Sequence, residues 1–325
     1  TRCCERIGKK EKCPINFFDE MVTTTFDVIS DVTFSDDEGF DRIGVHRAID
    51  GYIAEAGKIS LPDILGFPDW VPRLSRIISG KALKQMKALA DQSIDRRRDG
   101  KSKTPPDLLD LLLAGVDPKT QREMNTGELR DNLLTFIVAG HETTALTLSW
   151  ALYLLANDDR VQDRARQEVA EKVPTEQVQG KDIVNLKYLR SIIDETLRLY
   201  PPAALVSRTA AGPDNLCGRE VRSGDTVIIP IYALHRHHTL WSRPDDFHPE
   251  RFETDSPIER YAYLPFGDGP RVCIGANFAI NEAVIILASL LKRFRFKPVA
   301  GLIPSPKMIL TLRPEGGVWL VAEPI

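Results

Sequence analysis

A mainly α fold, with small β-sheets gathered in the C-terminal half, is predicted by three features of this 325-residue chain. Apolar residues recur at helical spacing over 14–34, 82–99, 160–172, 186–200 and 276–294. A long apolar run extends from Leu133 to Ala156. Short β-branched segments appear only after Pro201-Pro202, at 204–210, 219–222 and 226–231.

The elements follow in order. Residues 1–13 read as irregular. Residues 14–34 carry Phe18, Met21, Val22, Phe26, Ile29 and Val32 on helical spacing. The 82–99 helix ends in Arg96-Arg97-Arg98 before Gly100, which suits a solvated C-terminus where cations meet the negative dipole end. Residues 100–106 form a linker candidate. Asn125-Thr-Gly-Glu128 offers a capping-box start to the helix holding the apolar run. His141 and Glu142 near the middle of that run oppose a membrane span, since an acid at a bilayer centre costs roughly 2.5–3.5 kcal/mol. A helix buried all round, with a polar kink, is expected instead. The 186–200 helix stops at Pro201-Pro202. The chain ends in an expected hairpin of 308–312 with 317–321, turning through Pro-Glu-Gly-Gly.

Composition excludes several classes. With 42% hydrophobic and 27% charged residues the chain is neither disordered nor a small disulfide scaffold. A net charge of −3 offers no basic surplus for nucleic acid. The 5 cysteines are odd in number and irregularly spaced, against a secreted disulfide framework. Cys3, Cys4 and Cys13 have no nearby His or Cys to complete a zinc site. The start lacks an initiator Met and a signal-peptide pattern, so the chain reads as entered partway through, with a cytoplasmic location expected.

The most specific segment is Phe266-Gly-Asp-Gly269-Pro-Arg271-Val-Cys273-Ile-Gly275. It delivers one thiol to the start of a helix beginning near Ala276, where the dipole favours a thiolate. Its glycines permit tight turns and close approach to something flat. Arg271 supplies a cation suited to a carboxylate. With no second Cys or His at ligand spacing, the arrangement fits an axial haem ligand better than zinc or an iron–sulfur cluster. An inert buried cysteine is the other reading. Upstream, Ala139-Gly140-His141-Glu142-Thr143-Thr144 places a hydroxyl beside a carboxylate, a proton-delivery pair or else an ordinary kink in a core helix. Glu195 and Arg198 share a helix face, and by themselves make a surface salt bridge of little worth.

The thiol loop matches Phe-x-x-Gly-x-Arg-x-Cys-x-Gly and resembles the cytochrome P450 superfamily of haem-thiolate monooxygenases. Five fixed residues at about 5% usage each occur by chance in roughly one chain of this length in ten thousand. The resemblance implies a cytochrome P450 fold, N-terminally truncated, as a single haem domain over 1–325. It implies haem b (iron protoporphyrin IX) with Cys273 as iron ligand, held by Ala139, Arg208, Phe266, Gly269, Arg271 and Gly275. Glu142 and Thr143 become the catalytic pair, Thr143 steadying dioxygen and Glu142 relaying protons. Arg208 and Arg271 would meet the haem propionates, although an exposed strand residue is the other reading of Arg208. Glu195, Arg198 and Arg251, the last in Pro249-Glu-Arg251-Phe252, resemble the family's structural triad, and His235-Arg236 with Trp241 fits the stretch between. Ala204–Val206 would line the substrate side.

The implied reaction inserts one oxygen atom from O2 into a small apolar substrate. Electrons are expected from a separate donor, a ferredoxin or flavin reductase, because no Gly-rich flavin or nicotinamide unit follows the thiol loop. Lys292, Arg293, Arg295 and Lys297 form a basic cluster where such a donor would dock, or else a solvated helix end. The family's Trp-x-x-x-Arg helix is not found before residue 14. A truncated, inactive chain with impaired haem binding is therefore the alternative, and a peroxide-driven enzyme a further one that the Glu142-Thr143 pair opposes.

Overall fold

The computed structural model describes residues 2–10, 12–34, 44–45, 48–49, 51, 74–99, 106–253 and 258–325. The expected linker lies outside them apart from Pro106. They fall into two compact units, Val22–Glu142 and Thr1–Met21 with Thr143–Ile325.

In the Val22–Glu142 unit, most of α2 (Phe17–Phe34) packs with α3 (Leu74–Arg98), α4 (Leu108–Leu113) and the first half of α5 (Thr126–Ala156). Phe26, Ile29, Phe34, Ile94, Leu109, Leu133 and Ile137 belong to its apolar core. The capping box at the start of α5 forms as read: Glu128 N–H donates to Asn125 Oδ1 at 3.0 Å, and Asn125 N–H to a Glu128 carboxylate oxygen at 2.9 Å. The end of α3 differs from the solvated cation run expected. Arg96 and Arg98 are exposed, but Arg97 is buried and forks onto Asp107 with two bonds of 2.8 Å. Asp107 also caps α4, so one carboxylate serves both elements.

The other unit opens with α1 (Arg2–Gly8), where an irregular stretch was expected. Cys3, Cys4 and Ile7 share one helical face and are buried, the thiols acting as small hydrophobes. Burial pushes the Cys4 thiol up from its ordinary range. The second half of α5 carries Trp150, buried and stacked on Tyr200 at 4.0 Å. It is followed by α6 (Asp159–Lys172), a 3-10 turn (Gly180–Asn185) and α7 (Lys187–Leu199), which ends at Pro201-Pro202 as expected. Beyond the prolines, β2 (Val206–Thr209) pairs with β5 (Thr226–Ile229), and β3 (Asp214–Leu216) with β4 (Arg219–Val221). A short α8 (Ile231–Leu234) and an irregular stretch lead to the thiol loop and then to α9 (Ala276–Leu291).

The C-terminus departs from the expected hairpin. β7 (Ser305–Met308) pairs with β8 (Leu312–Glu315), while β9 (Trp319–Pro324) lies between β1 (Ile15–Asn16) and β6 (Phe294–Pro298). Gly316 and Gly317, at φ +82 and +80, turn the chain out of one sheet and into another instead of back on itself. A Cβ at Gly317 would fall 2.6 Å from the Asn16 amide, so this turn needs glycine on both grounds. No helix among the described residues is long and apolar enough to cross a membrane.

Candidate active site

The thiol loop is shaped by its own backbone. Gly267 and Gly269 hold φ of +71 and +72, which side-chain-bearing residues rarely adopt. Between them they reverse the chain, so that Cys273 N–H donates to the Phe266 carbonyl at 2.9 Å and closes the loop. Gly269–Arg271 form a single 3-10 turn capped by the Asp268 side chain. A Cβ on Gly269 would meet nothing within 4 Å, so the space beside that backbone is open. Gly275 caps α9, placing Cys273 two residues before the cap, where the unpaired N–H groups and helix dipole favour an anion.

The loop is held from behind by a buried polar frame. Glu195 and Arg198 on α7 are fully buried and joined by bonds of 2.7 and 2.8 Å. Arg198 spends its remaining donors on the carbonyls of His235, Pro244 and Asp246. Arg251 joins the same Glu195 carboxylate at 3.1 Å and donates to the Arg243 carbonyl at 2.6 Å. These are not the surface pairs that Glu195 and Arg198 suggest when read alone: the pair is fully buried, and every guanidinium nitrogen of Arg198 donates to a protein acceptor. His235 passes the constraint on, its Nε2 accepting from Leu264 N–H at 2.8 Å. Tyr263 Oη lies 3.0 Å from the Asp194 carbonyl and carboxylate on α7. Leu264 and Tyr263 immediately precede the thiol loop. His235, Tyr263 and Asp194 have no sequence motif of their own, beyond the position of His235 beside Arg236.

The residues present fit a flat, iron-bearing ring with carboxylate arms. The Cys273 thiol is exposed, and so are the apolar side chains beside it: Ile274 is 85%, Val272 53% and Phe278 37% exposed. Arg271 on the loop and Arg208 on β2 are exposed, and neither has a carboxylate partner among the described residues; Arg208 donates only to the Ser207 carbonyl. Two guanidinium forks without carboxylate partners and a lone thiol in an apolar surround are a donor set that fits haem.

The α5 stretch lies in both units: Ala139 and Glu142 in one, Thr143 and Thr144 in the other. Glu142 and His141 are buried. Thr25 Oγ1 donates to the His141 carbonyl at 2.8 Å, and the Phe26 ring meets the His141 imidazole edge-on. A Cβ at Gly140 would meet Ile29 Cδ1 at 3.4 Å, an ordinary packing contact that does not by itself demand glycine. Ala139 is exposed at an open groove of about 360 Å³, lined also by Met86, Leu134, Thr135 and Val138.

The basic cluster after α9 is not a free docking patch. Lys292 caps the carbonyls of Val173 and Thr175, Arg293 pairs with Glu176, Arg295 with Asp159 and Asp163, and Lys297 with Asp159. Three of the four cations are paired with acids and Lys292 is held on two neutral carbonyls, which weakens the field the cluster could use to steer an acidic donor.

The cytochrome P450 family model matches residues 1–321. The chain belongs to the cytochrome P450 family. Among curated P450s and related enzymes it is 34% identical to a cytokinin hydroxylase of Arabidopsis thaliana, over 99% of this chain and 64% of that protein. It is 32% identical to cyclooctatin synthase of Streptomyces melanosporofaciens, over 96% of the chain and 68% of the relative. A bifunctional cytochrome P450/NADPH–P450 reductase of Bacillus subtilis (strain 168) is 36% identical over 77% of the chain and 24% of its own length. The chain thus spans just under two thirds of the first of these P450s and a quarter of the last. Membership in the P450 family makes haem the expected prosthetic group, in keeping with the residues around Cys273.

Proposed function

We propose that the protein is a haem-thiolate monooxygenase that inserts one oxygen atom from O2 into a small apolar organic substrate. The observation that carries this reading is the exposed Cys273 thiol at the entrance of α9, on a loop closed by its own N–H, with unpaired Arg271 beside it. Haem b bound there, held through Cys273, would supply the redox chemistry that activates dioxygen.

The protein's own residues do the rest. Cys273 would ligate the iron, from a loop that also carries Arg271 and leads into the N-terminus of α9. Gly269 and Gly275 let the backbone approach a ring face, and Phe266 fixes the loop through its carbonyl. Arg208 and Arg271 orient the ring through its propionates. On α5, the Glu142 carboxylate passes a proton toward the Thr143 hydroxyl, which donates it at the oxygen-binding side. Ala204–Val206 present small and apolar surfaces to the substrate. Reducing equivalents come from a ferredoxin or a flavin reductase.

The test is the absorption spectrum of the reduced, carbon monoxide-bound protein expressed with a haem supply. A strongly red-shifted Soret band that is lost in Cys273→Ala supports the reading. A band typical of a neutral ligand, or no haem at all, overturns it for this chain.

A further inference from the structure

Tyr263 precedes the thiol loop and bonds to a different element, α7. Its Oη lies 3.0 Å from the Asp194 carbonyl and 3.0 Å from Asp194 Oδ1. One hydroxyl hydrogen faces two acceptors, so it is bonded whichever way it points. The other carboxylate oxygen, Oδ2, accepts from Arg190 Nε at 2.7 Å, and the Asp194 side chain is only 12% exposed. Tyr263 is thus the donor that serves Oδ1. The ring is held as well as the hydroxyl. Phe252, His235 and Trp241 stand around it at centroid distances of 5.0, 5.3 and 6.4 Å, tilted or edge-on as aromatic pairs prefer.

The residues that follow leave little slack. Leu264 N–H donates to His235 Nε2 at 2.8 Å, and the Leu264 carbonyl accepts from Gly267 N–H at 3.1 Å. Pro265 fixes its own φ and confines Leu264 to extended backbone. Phe266 then offers the carbonyl that accepts Cys273 N–H at 2.9 Å. Both backbone groups of Leu264 are therefore committed, and a ring-locked residue separates it from Phe266.

We propose that Tyr263 is a positioning residue for Cys273: its hydroxyl anchors on Asp194, and the stiff step through Leu264 and Pro265 carries that anchor to the bond that closes the thiol loop. Two consecutive acids of α7 then divide the work. Glu195 holds Arg198 and Arg251, which fix the irregular stretch before the loop. Asp194 holds the last residues before the loop itself. The anchor sets where Cys273 stands, not its charge.

This rests on the haem-thiolate reading, and the experiment keeps the two apart. The full chain expressed with a haem supply is compared with Tyr263→Phe and Tyr188→Phe. Tyr263→Phe keeps the ring among its aromatic neighbours and removes one oxygen. Tyr188→Phe is the control, since it loses a tyrosine–carboxylate bond of the same kind, from Tyr188 Oη to Glu250 at 3.2 Å. Each protein is read for the rate at which the red-shifted ferrous–CO band gives way to the neutral-ligand band. Hydrogen exchange of residues 264–273 is followed beside it by mass spectrometry. Loss of a hydrogen bond to a charged group should speed band conversion in Tyr263→Phe by roughly ten- to a hundredfold, and exchange by a similar factor. Tyr188→Phe should stay within about twofold of the wild type in both, whatever its thermal midpoint. Wild-type band conversion in Tyr263→Phe overturns the proposal, as does equal acceleration in Tyr188→Phe. If no form shows the red-shifted band, the haem-thiolate reading fails, and the exchange alone decides the anchor. Faster exchange of 264–273 in Tyr263→Phe alone upholds it; equal exchange in all three proteins ends it.

Discussion

The Leu264 N–H donates to His235 Nε2 at 2.8 Å, while His235 Nδ1 faces the Arg198 carbonyl at 3.3 Å. The imidazole is fully buried and must therefore be neutral, with its proton on Nδ1, the assignment the two partners dictate. Burial lowers its pKa to about 4, and the neighbouring Arg198 and Arg236 charges act in the same direction. Protonation would cost the acceptor that holds Leu264 at the entrance to the thiol loop. Because the folded pKa lies below the unfolded one, stability is unaffected above pH 6.5 and falls as pH drops from 6.5 toward 4, by about 3 kcal/mol in all. Urea unfolding at steps between pH 7.5 and 5 should show that loss in the wild type. In His235→Gln the slope over the same window should be shallower by roughly one proton, whatever its stability at pH 7. Equal slopes would mean that His235 does not carry the acid sensitivity.

Arg198 uses all three guanidinium nitrogens, on Glu195 and on three carbonyls of the chain that leads toward Arg251. An ammonium cannot reproduce that fork. Arg198→Lys is therefore expected to destabilise by at least about 3 kcal/mol, close to the effect of Arg198→Ala, because either change leaves the buried Glu195 carboxylate short of donors. Chemical denaturation of the two variants checks this. A lysine variant within 1 kcal/mol of wild type would show that net charge, not the fork, holds the frame.

How far the sequence reveals these arrangements depends on where each interaction is made. The capping box at Asn125–Glu128 and the stop at Pro201-Pro202 are local, and both form as read. The thiol loop is legible because its glycines and its cysteine act on one another within ten residues. The pairing of β9 was not, since its partners lie at Ile15–Asn16 and Phe294–Pro298, and a Gly-Gly turn looks the same whether the chain folds back or moves to another sheet. Arg97 was hidden for a similar reason. Nothing within a run of three arginines says which one faces inward, and its acid lies ten residues on, past the linker.

The inward arginine of that run gives a sharp contrast. Arg97 holds Asp107 at 2.8 Å and Asp110 at 2.8 Å, and all three side chains are buried. The two carboxylates raise the Arg97 pKa, and Asp107 is also the α4 cap. Arg97→Ala should destabilise by about 3–5 kcal/mol, because it strands two buried acids. Arg96→Ala, at an exposed position, should stay within about 0.5 kcal/mol of wild type. Urea unfolding of the pair provides the comparison, and similar losses for both would place Arg97 among the solvated cations after all.

Arg208 and Arg271 differ from Arg97 in having no carboxylate partner among the described residues. Removing them should therefore cost the apoprotein little, while a charge-assisted bond to a propionate is worth about 1.5–3 kcal/mol. Arg271→Leu and Arg208→Leu are each expected to weaken haem retention by roughly ten- to a hundredfold, and apoprotein stability should stay within about 0.5 kcal/mol. Arg271→Leu should also shift the ligand band, because it takes a cation from the loop that carries Cys273. Arg208→Leu should leave that band in place. Haem transfer to a scavenging protein, read beside apoprotein unfolding, separates the two effects. If haem leaves the variants no faster than the wild type, these forks serve something other than the propionates.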